Sequence, residues 1–87
     1  MGRYKVLIKE SAAKELEALP NKKARQRVVA RIRALADEPR PAACEKLSGH
    51  HNRYRVRQGN YRVVYSITDE ELLVFVVKIG HRKDVYR

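Results

Sequence analysis

Apolar and polar positions alternate most clearly between residues 53 and 65. Tyr54 and Val56 interleave with Arg53, Arg55 and Arg57, the period-two pattern of a half-buried strand. Gly59-Asn60 follows as a two-residue turn with glycine at its first central position, as a type II′ hairpin requires. That turn sets Gln58 opposite Tyr61, Arg57 opposite Arg62, Val56 opposite Val63, Arg55 opposite Val64 and Tyr54 opposite Tyr65. The apolar pairs then share one face of the hairpin, and Arg53, Arg55, Arg57 and Arg62 share the other.

Upstream, Tyr4–Ile8 reads as a short strand with Tyr4, Val6 and Ile8 on one face. Ser11 is placed to cap a helix in which Ala12, Leu16 and Leu19 recur at helical spacing. Pro20-Asn21 separates it from a second helix, where Ala24, Val28, Ile32 and Leu35 continue to about Ala36 before Asp37-Glu38-Pro39 ends it. Arg40–Cys44 reads as a loop, and Leu47 as a plug for the core on the way into the hairpin. Leu72–Ile79 is the strongest strand, apolar enough to be central and partly covered on both faces. A turn centred on Asp69-Glu70 would pair Tyr65 with Val74, Val63 with Val76 and Arg62 with Val77, leaving Ile79 across from Asn60.

The predicted architecture is one α+β domain over residues 1–87. Two N-terminal helices pack on one face of a mostly antiparallel four-stranded sheet, in the order β-α-α-β-β-β with a short C-terminal tail or helix. The first strand joins the sheet at an edge or beside the central strand.

Charge changes this picture more than length does. The 87 residues carry a net charge of +10 and a pI near 10.2, which points to a polyanionic partner such as nucleic acid or an acidic protein. Cys44 is the single cysteine, so neither an intrachain disulfide nor a zinc-finger spacing is present. His50 and His51 are adjacent and have no third ligand at a metal-binding spacing, so no metal or cofactor is expected. No apolar run approaches the ~18 residues of a membrane span and no signal peptide opens the chain, so a cytoplasmic, membrane-free protein is expected.

The cations are clustered. Like charges directly opposite on a sheet destabilise it, yet no Asp or Glu lies between Lys46 and Thr68 to offset the hairpin arginines. Arginine is the side chain whose planar fork matches phosphate, which favours a polyanion site over a merely solvated strand. The second helix carries Lys22, Lys23, Arg25, Arg27, Arg31 and Arg33 with no acid between Glu17 and Asp37. Ordinary solubilising helices mix signs to gain i,i+4 pairs, so this surface reads as a dock for RNA or DNA backbone. At the other end of the chain, Gly80–Arg87 emerges beside the hairpin tip in the predicted register. With strands ~4.8 Å apart, Arg55, Arg57, Arg62, His81, Arg82 and Tyr86 converge there.

These residues resemble the RelE/ParE superfamily of bacterial and archaeal toxins, and its RelE branch in particular. The likeness runs from Tyr4 to Arg87 and is most specific in Tyr54-Arg-Val-Arg57, Gly59-Asn-Tyr-Arg-Val-Val-Tyr65 and Gly80-His-Arg-Lys-Asp-Val-Tyr86. What it implies is a toxin that cleaves mRNA in the ribosomal A site without metal and is neutralised by a RelB-type antitoxin with an acidic segment. The toxin is expected to be monomeric alone and hetero-oligomeric with that antitoxin. The family's basic pair on the second strand falls on Arg55 and Arg57, and its strand arginine on Arg62. Its basic pair after the last strand falls on His81-Arg82, and its C-terminal tyrosine on Tyr86. Family members often carry Lys where this chain has Arg55 and Arg57, and arginine is a poor proton shuttle.

On this reading Arg57 and Arg62 hold the phosphate, Arg55 assists, and Arg82 sits by the leaving oxygen. His81, with an ordinary imidazole pKa near neutrality, is the first choice as acid or base. Tyr86 stacks on a base or donates a proton. Arg53, Lys46, Arg27 and Arg31 extend the contacts to mRNA and small-subunit rRNA. The competing readings are a ParE-like inhibitor of DNA gyrase and a family member that binds antitoxin and ribosome without cutting.

Overall fold

The hairpin forms pair for pair as the alternation predicts. β3 (Arg53–Gln58) and β4 (Tyr61–Thr68) are antiparallel, with Gln58 opposite Tyr61, Arg57 opposite Arg62 and Tyr54 opposite Tyr65. Gly59 takes a φ of +60°, the left-handed conformation the first turn position demands. The computed structural model describes residues 3–49 and 51–81. Its other elements are β1 (Lys5–Ile8), α1 (Glu10–Glu17), α2 (Lys22–Ala34), β2 (Glu45–Lys46) and β5 (Leu73–His81).

The sheet has five strands in the order β1-β5-β4-β3-β2 rather than the four expected. The added strand is β2, two residues long, pairing Glu45 with Arg55 and Lys46 with Tyr54. Two residues carry no readable periodicity. The first strand takes an edge, parallel to β5, with Lys5 opposite Leu73 and Ile8 opposite Val76.

The apolar face of the sheet and the two helices enclose the core. Val56, Val63, Tyr65, Val74 and Val76 are fully buried there, with Ala12 and Val28 from the helices. Leu47 is only half-buried and lies outside this cluster, so the plug expected at that position is not formed. Asn21 caps α2, its side-chain oxygen accepting from the Ala24 N–H at 3.1 Å. Ser11 does not cap α1. The helix starts at Glu10 with Lys9 at the cap position, because the Lys9 N–H donates to the Val76 carbonyl and extends the β1–β5 ladder into the turn.

The register of the last two strands corrects the sequence expectation. Tyr65 faces Val76, Val63 faces Ile79 and Arg62 faces Gly80. Two irregularities cause the shift. The connection is a single 3-10 turn, Asp69–Glu71, followed by Leu72 in the left-handed region, so Thr68 pairs with Leu73 across four residues. A bulge between Val64 and Tyr65 then slips the ladder by one more position. As a result β5 runs on to His81, which pairs with Tyr61.

Leu72 sits at φ 50° and ψ 51° and is 39 % exposed. A non-glycine residue pays ~1–2 kcal/mol for that conformation, and the covered part of the leucine side chain offsets it. Leu72→Gly relieves the strain and removes that cover together, so the two proteins are expected to differ by no more than about 1 kcal/mol. Chemical denaturation measures this, and a larger gap in either direction would contradict it.

Candidate functional site

The arginine face is the side of the sheet away from the helices. Strand alternation puts Arg53, Arg55 and Arg57 on this side of β3, and the hairpin register adds Arg62 on β4 opposite Arg57. Their environments differ. Arg57 is exposed and Arg53 half-buried, whereas Arg55 and Arg62 are 7 % and 6 % exposed. A buried guanidinium among like charges needs an offsetting anion. For Arg55, Glu45 provides it: β2 lays its carboxylate 2.8 Å from the Arg55 guanidinium. Sequence reading missed this acid because it lies one residue outside the acid-free stretch. Gly80 stands opposite Arg62 and offers no side chain there.

His81 does not join this face. Cross-strand partners project to the same side of a sheet, and His81 is the partner of Tyr61, one rung beyond Arg62. Its imidazole meets the Tyr61 ring edge-on, with centroids 5.9 Å apart. The expected convergence of His81 with Arg57 and Arg62 rested on the shorter β5, and the true register separates them across the sheet. Arg82, Tyr86 and His50 lie outside the described residues. Lys46 pairs with Tyr54 and so projects on the helix side, away from the arginine face. Arg27 and Arg31 of α2 approach the same hairpin from that side, and Arg31 Nε donates to the Gln58 side-chain oxygen at 3.3 Å.

At the far end of the sheet a polar network ties four segments together. The Arg40 guanidinium forms a two-pronged pair with Asp69 at 2.9 and 3.2 Å. It also donates to the Tyr54 hydroxyl at 3.2 Å, while the Tyr4 hydroxyl donates to Asp69 at 2.7 Å. Hydrogen bonds from Arg40 and then Tyr4 hold the Asp69 carboxyl below the usual carboxylate range, and the Asp69 bond in turn raises the Tyr4 hydroxyl. Because the folded pKa is lowered, the network's contribution is present above the unfolded carboxyl value of about 3.9 and fades as pH falls through it. Asp69→Asn should melt below the wild type at neutral pH, with the gap closing under about pH 4. A gap independent of pH would show that the carboxylate charge contributes nothing.

A second surface is apolar. Leu16 and Val29 line two adjoining grooves of about 550 and 350 Å³, the first rimmed by Arg25 and Arg33 and the second floored by Val6, Ile8 and Ile32. The grooves run along the outer side of the helix pair to the β1 edge. Among the described residues no group of three His, Cys, Asp or Glu side chains comes together, and no helix is long and apolar enough to cross a membrane.

Residues 6–86 match the family described as ParE toxin of type II toxin-antitoxin system. The chain belongs to this toxin family. Within it the resemblance is to RelE-named members. The chain is 33 % identical over 76 residues to the mRNA interferase toxin RelE of Escherichia coli strain K12, covering 85 % of this chain and 78 % of that protein. RelE in the archaeal RelE–RelB complex of Pyrococcus horikoshii superposes with a TM-score of 0.82 at 31 % identity, over 94 % of this chain and 98 % of that one. The isolated E. coli RelE toxin gives a TM-score of 0.78 at 31 % identity, over 95 % and 90 %. This toxin fold thus presents a cationic sheet face on the side away from the helices, and an apolar groove lined also by Arg25, Arg33 and Glu17 along the helix pair.

Proposed function

We propose that this toxin is an endoribonuclease that cuts mRNA in the ribosomal A site and is neutralised by a RelB-type antitoxin. The observation that carries the reading is the Arg57–Arg62 rung: two guanidiniums directly opposite each other, one exposed and one buried, at the open end of a sheet. Two planar forks side by side on one face are well suited to a phosphodiester, whose oxygens accept from both.

The chemistry that fits is attack by the substrate's own 2′-oxygen. That oxygen bonds to phosphorus, the bond to the 5′-oxygen breaks, and a cyclic phosphate and a 5′-hydroxyl result. One proton leaves the 2′-hydroxyl and one reaches the 5′-oxygen. Arg57 and Arg62 would carry the extra charge of the phosphorane, as preorganised donors do for other oxyanions. Arg55, oriented by Glu45, and Arg53 continue the backbone track along β3. His81 projects on the Tyr61 side, so proton transfer is assigned to the position that the resemblance gives to the family's C-terminal tyrosine, Tyr86, and the leaving-group charge to Arg82.

Neutralisation has a separate seat. An amphipathic helix suits this groove, with its apolar face on Leu16 and Val29 and its acidic side chains on Arg25 and Arg33, which outnumber Glu17 in the lining. The E. coli relative bears the name mRNA interferase, and the Pyrococcus relative is held in a RelE–RelB complex, which supports both halves of this reading. Primer extension on mRNA after induction tests it. New 5′ ends within translated codons are expected. DNA breaks with unchanged mRNA ends would instead identify a gyrase inhibitor of the ParE type.

A further inference from the structure

The side of the hairpin turn opposite the arginines holds a polar cleft that the phosphate chemistry does not use. It lies between α2 and the β3–β4 turn, encloses about 230 Å³, and is bounded by Ala24, Arg27, Gln58, Asn60 and Tyr61. A second hollow of about 260 Å³ continues along the helix past Arg31 and shares Arg27 and Gln58 with the first. The two hollows are thus lined by three side-chain amides (Asn21, Gln58 and Asn60, of which Asn21 also caps α2), one tyrosine ring, two guanidiniums and small alanine side chains. Amides and aromatic rings on a cationic track are the groups that read single-stranded RNA, whose unstacked bases expose their hydrogen-bonding edges.

Gln58 is held rather than loose. Arg31 Nε donates to its side-chain oxygen at 3.3 Å, which leaves the Nε2 group as the donor end of the amide. The Gln58–Tyr61 rung is also adjacent to the Arg57–Arg62 rung, about 3.3 Å along the strands, and projects from the other face.

We propose that this cleft binds one unstacked base of single-stranded RNA, with Gln58 as the specificity-determining side chain and Arg27 on the adjoining phosphate. The proposal rests on the RNA-cleaving reading and adds to it a base preference set on the α2 side of the hairpin, across the sheet from the arginine rung. Gln58 offers donors through Nε2, so a base edge rich in acceptors, as uracil presents, is favoured over one presenting an amino group.

The test is Gln58→Glu. Glutamate keeps the length of the side chain and still accepts from Arg31, so a merely structural tie between α2 and the hairpin survives. It removes the Nε2 donors, and carboxylates accept from the cytosine amino group. Binding of fluorescein-labelled oligo(U) and oligo(C) to the full chain gives the readout as a ratio, in which any uniform loss from the added negative charge cancels. The oligo(C)-to-oligo(U) affinity ratio is expected to rise at least about five-fold in the variant, with cleavage sites on ribosome-bound mRNA shifting in the same direction. An unchanged ratio, with the variant folded, overturns the base pocket even if cleavage continues. A changed ratio in a protein that cuts no mRNA would keep the pocket and remove the nuclease reading.

Discussion

Arg62→Ala is expected to lower mRNA cleavage by at least about a hundred-fold, the usual effect of deleting one preorganised charge-stabilising donor. Arg62 is the buried member of the Arg57–Arg62 rung, 6 % exposed, so its guanidinium has little freedom to be replaced by a neighbour. Arg57, its strand partner, is exposed. Truncating a buried side chain also costs packing, so the fold of the variant is checked alongside its activity. Arg62→Lys separates charge from fork. A lysine keeps the cation and loses the planar bidentate geometry, and should recover only part of the rate. The measurement is single-turnover cleavage of mRNA on programmed ribosomes, with circular dichroism on the same samples. A folded Arg62→Ala protein cutting at the wild-type rate would remove Arg62 from the site.

Tyr65→Ala carries the largest expected cost to stability, about 3–5 kcal/mol for a buried large-to-small change. Tyr65 is the largest of the fully buried side chains and stands at the middle of β4. Its ring stacks on Tyr54 with centroids 6.0 Å apart, and its hydroxyl donates to the Pro39 carbonyl at 2.7 Å, tying the end of the helix layer to the sheet. A domain of this size holds only roughly 5–10 kcal/mol in all, so much of the variant should be unfolded at growth temperature. Tyr65→Phe keeps the ring and loses only the hydrogen bond, at about 1–2 kcal/mol. Burial, first of all, pushes the Tyr65 hydroxyl above its ordinary ionisation range. The unfolded chain therefore ionises first, and wild-type stability should fall as pH rises past about 10. Tyr65→Phe should lose less over that window. Denaturant titrations at neutral and alkaline pH give both results, and an Ala variant within 1 kcal/mol of wild type would contradict the packing account.

The sequence alone determined the β3–β4 hairpin, its register and the sorting of its residues between two faces. Alternation and a Gly-Asn turn are local, and a two-residue turn leaves one register. The helix pair was readable for the same reason, since 3.6-residue spacing needs no knowledge of what it packs against. So was the cationic character of the β3 face and of α2, which follows from side-chain identity.

Tertiary structure decided everything that depends on two segments meeting. Glu45 looked like a loop acid until a two-residue strand laid it on Arg55. Asp69 looked like a turn residue until Arg40 and Tyr4 closed on it. His81 looked like a neighbour of the arginines until a longer turn and a bulge moved it to the Tyr61 rung. A side-chain period of two makes each single-residue slip a change of face. That is why the two faces of the β3–β4 hairpin were legible in the chain, and which residues of other segments join each face was not.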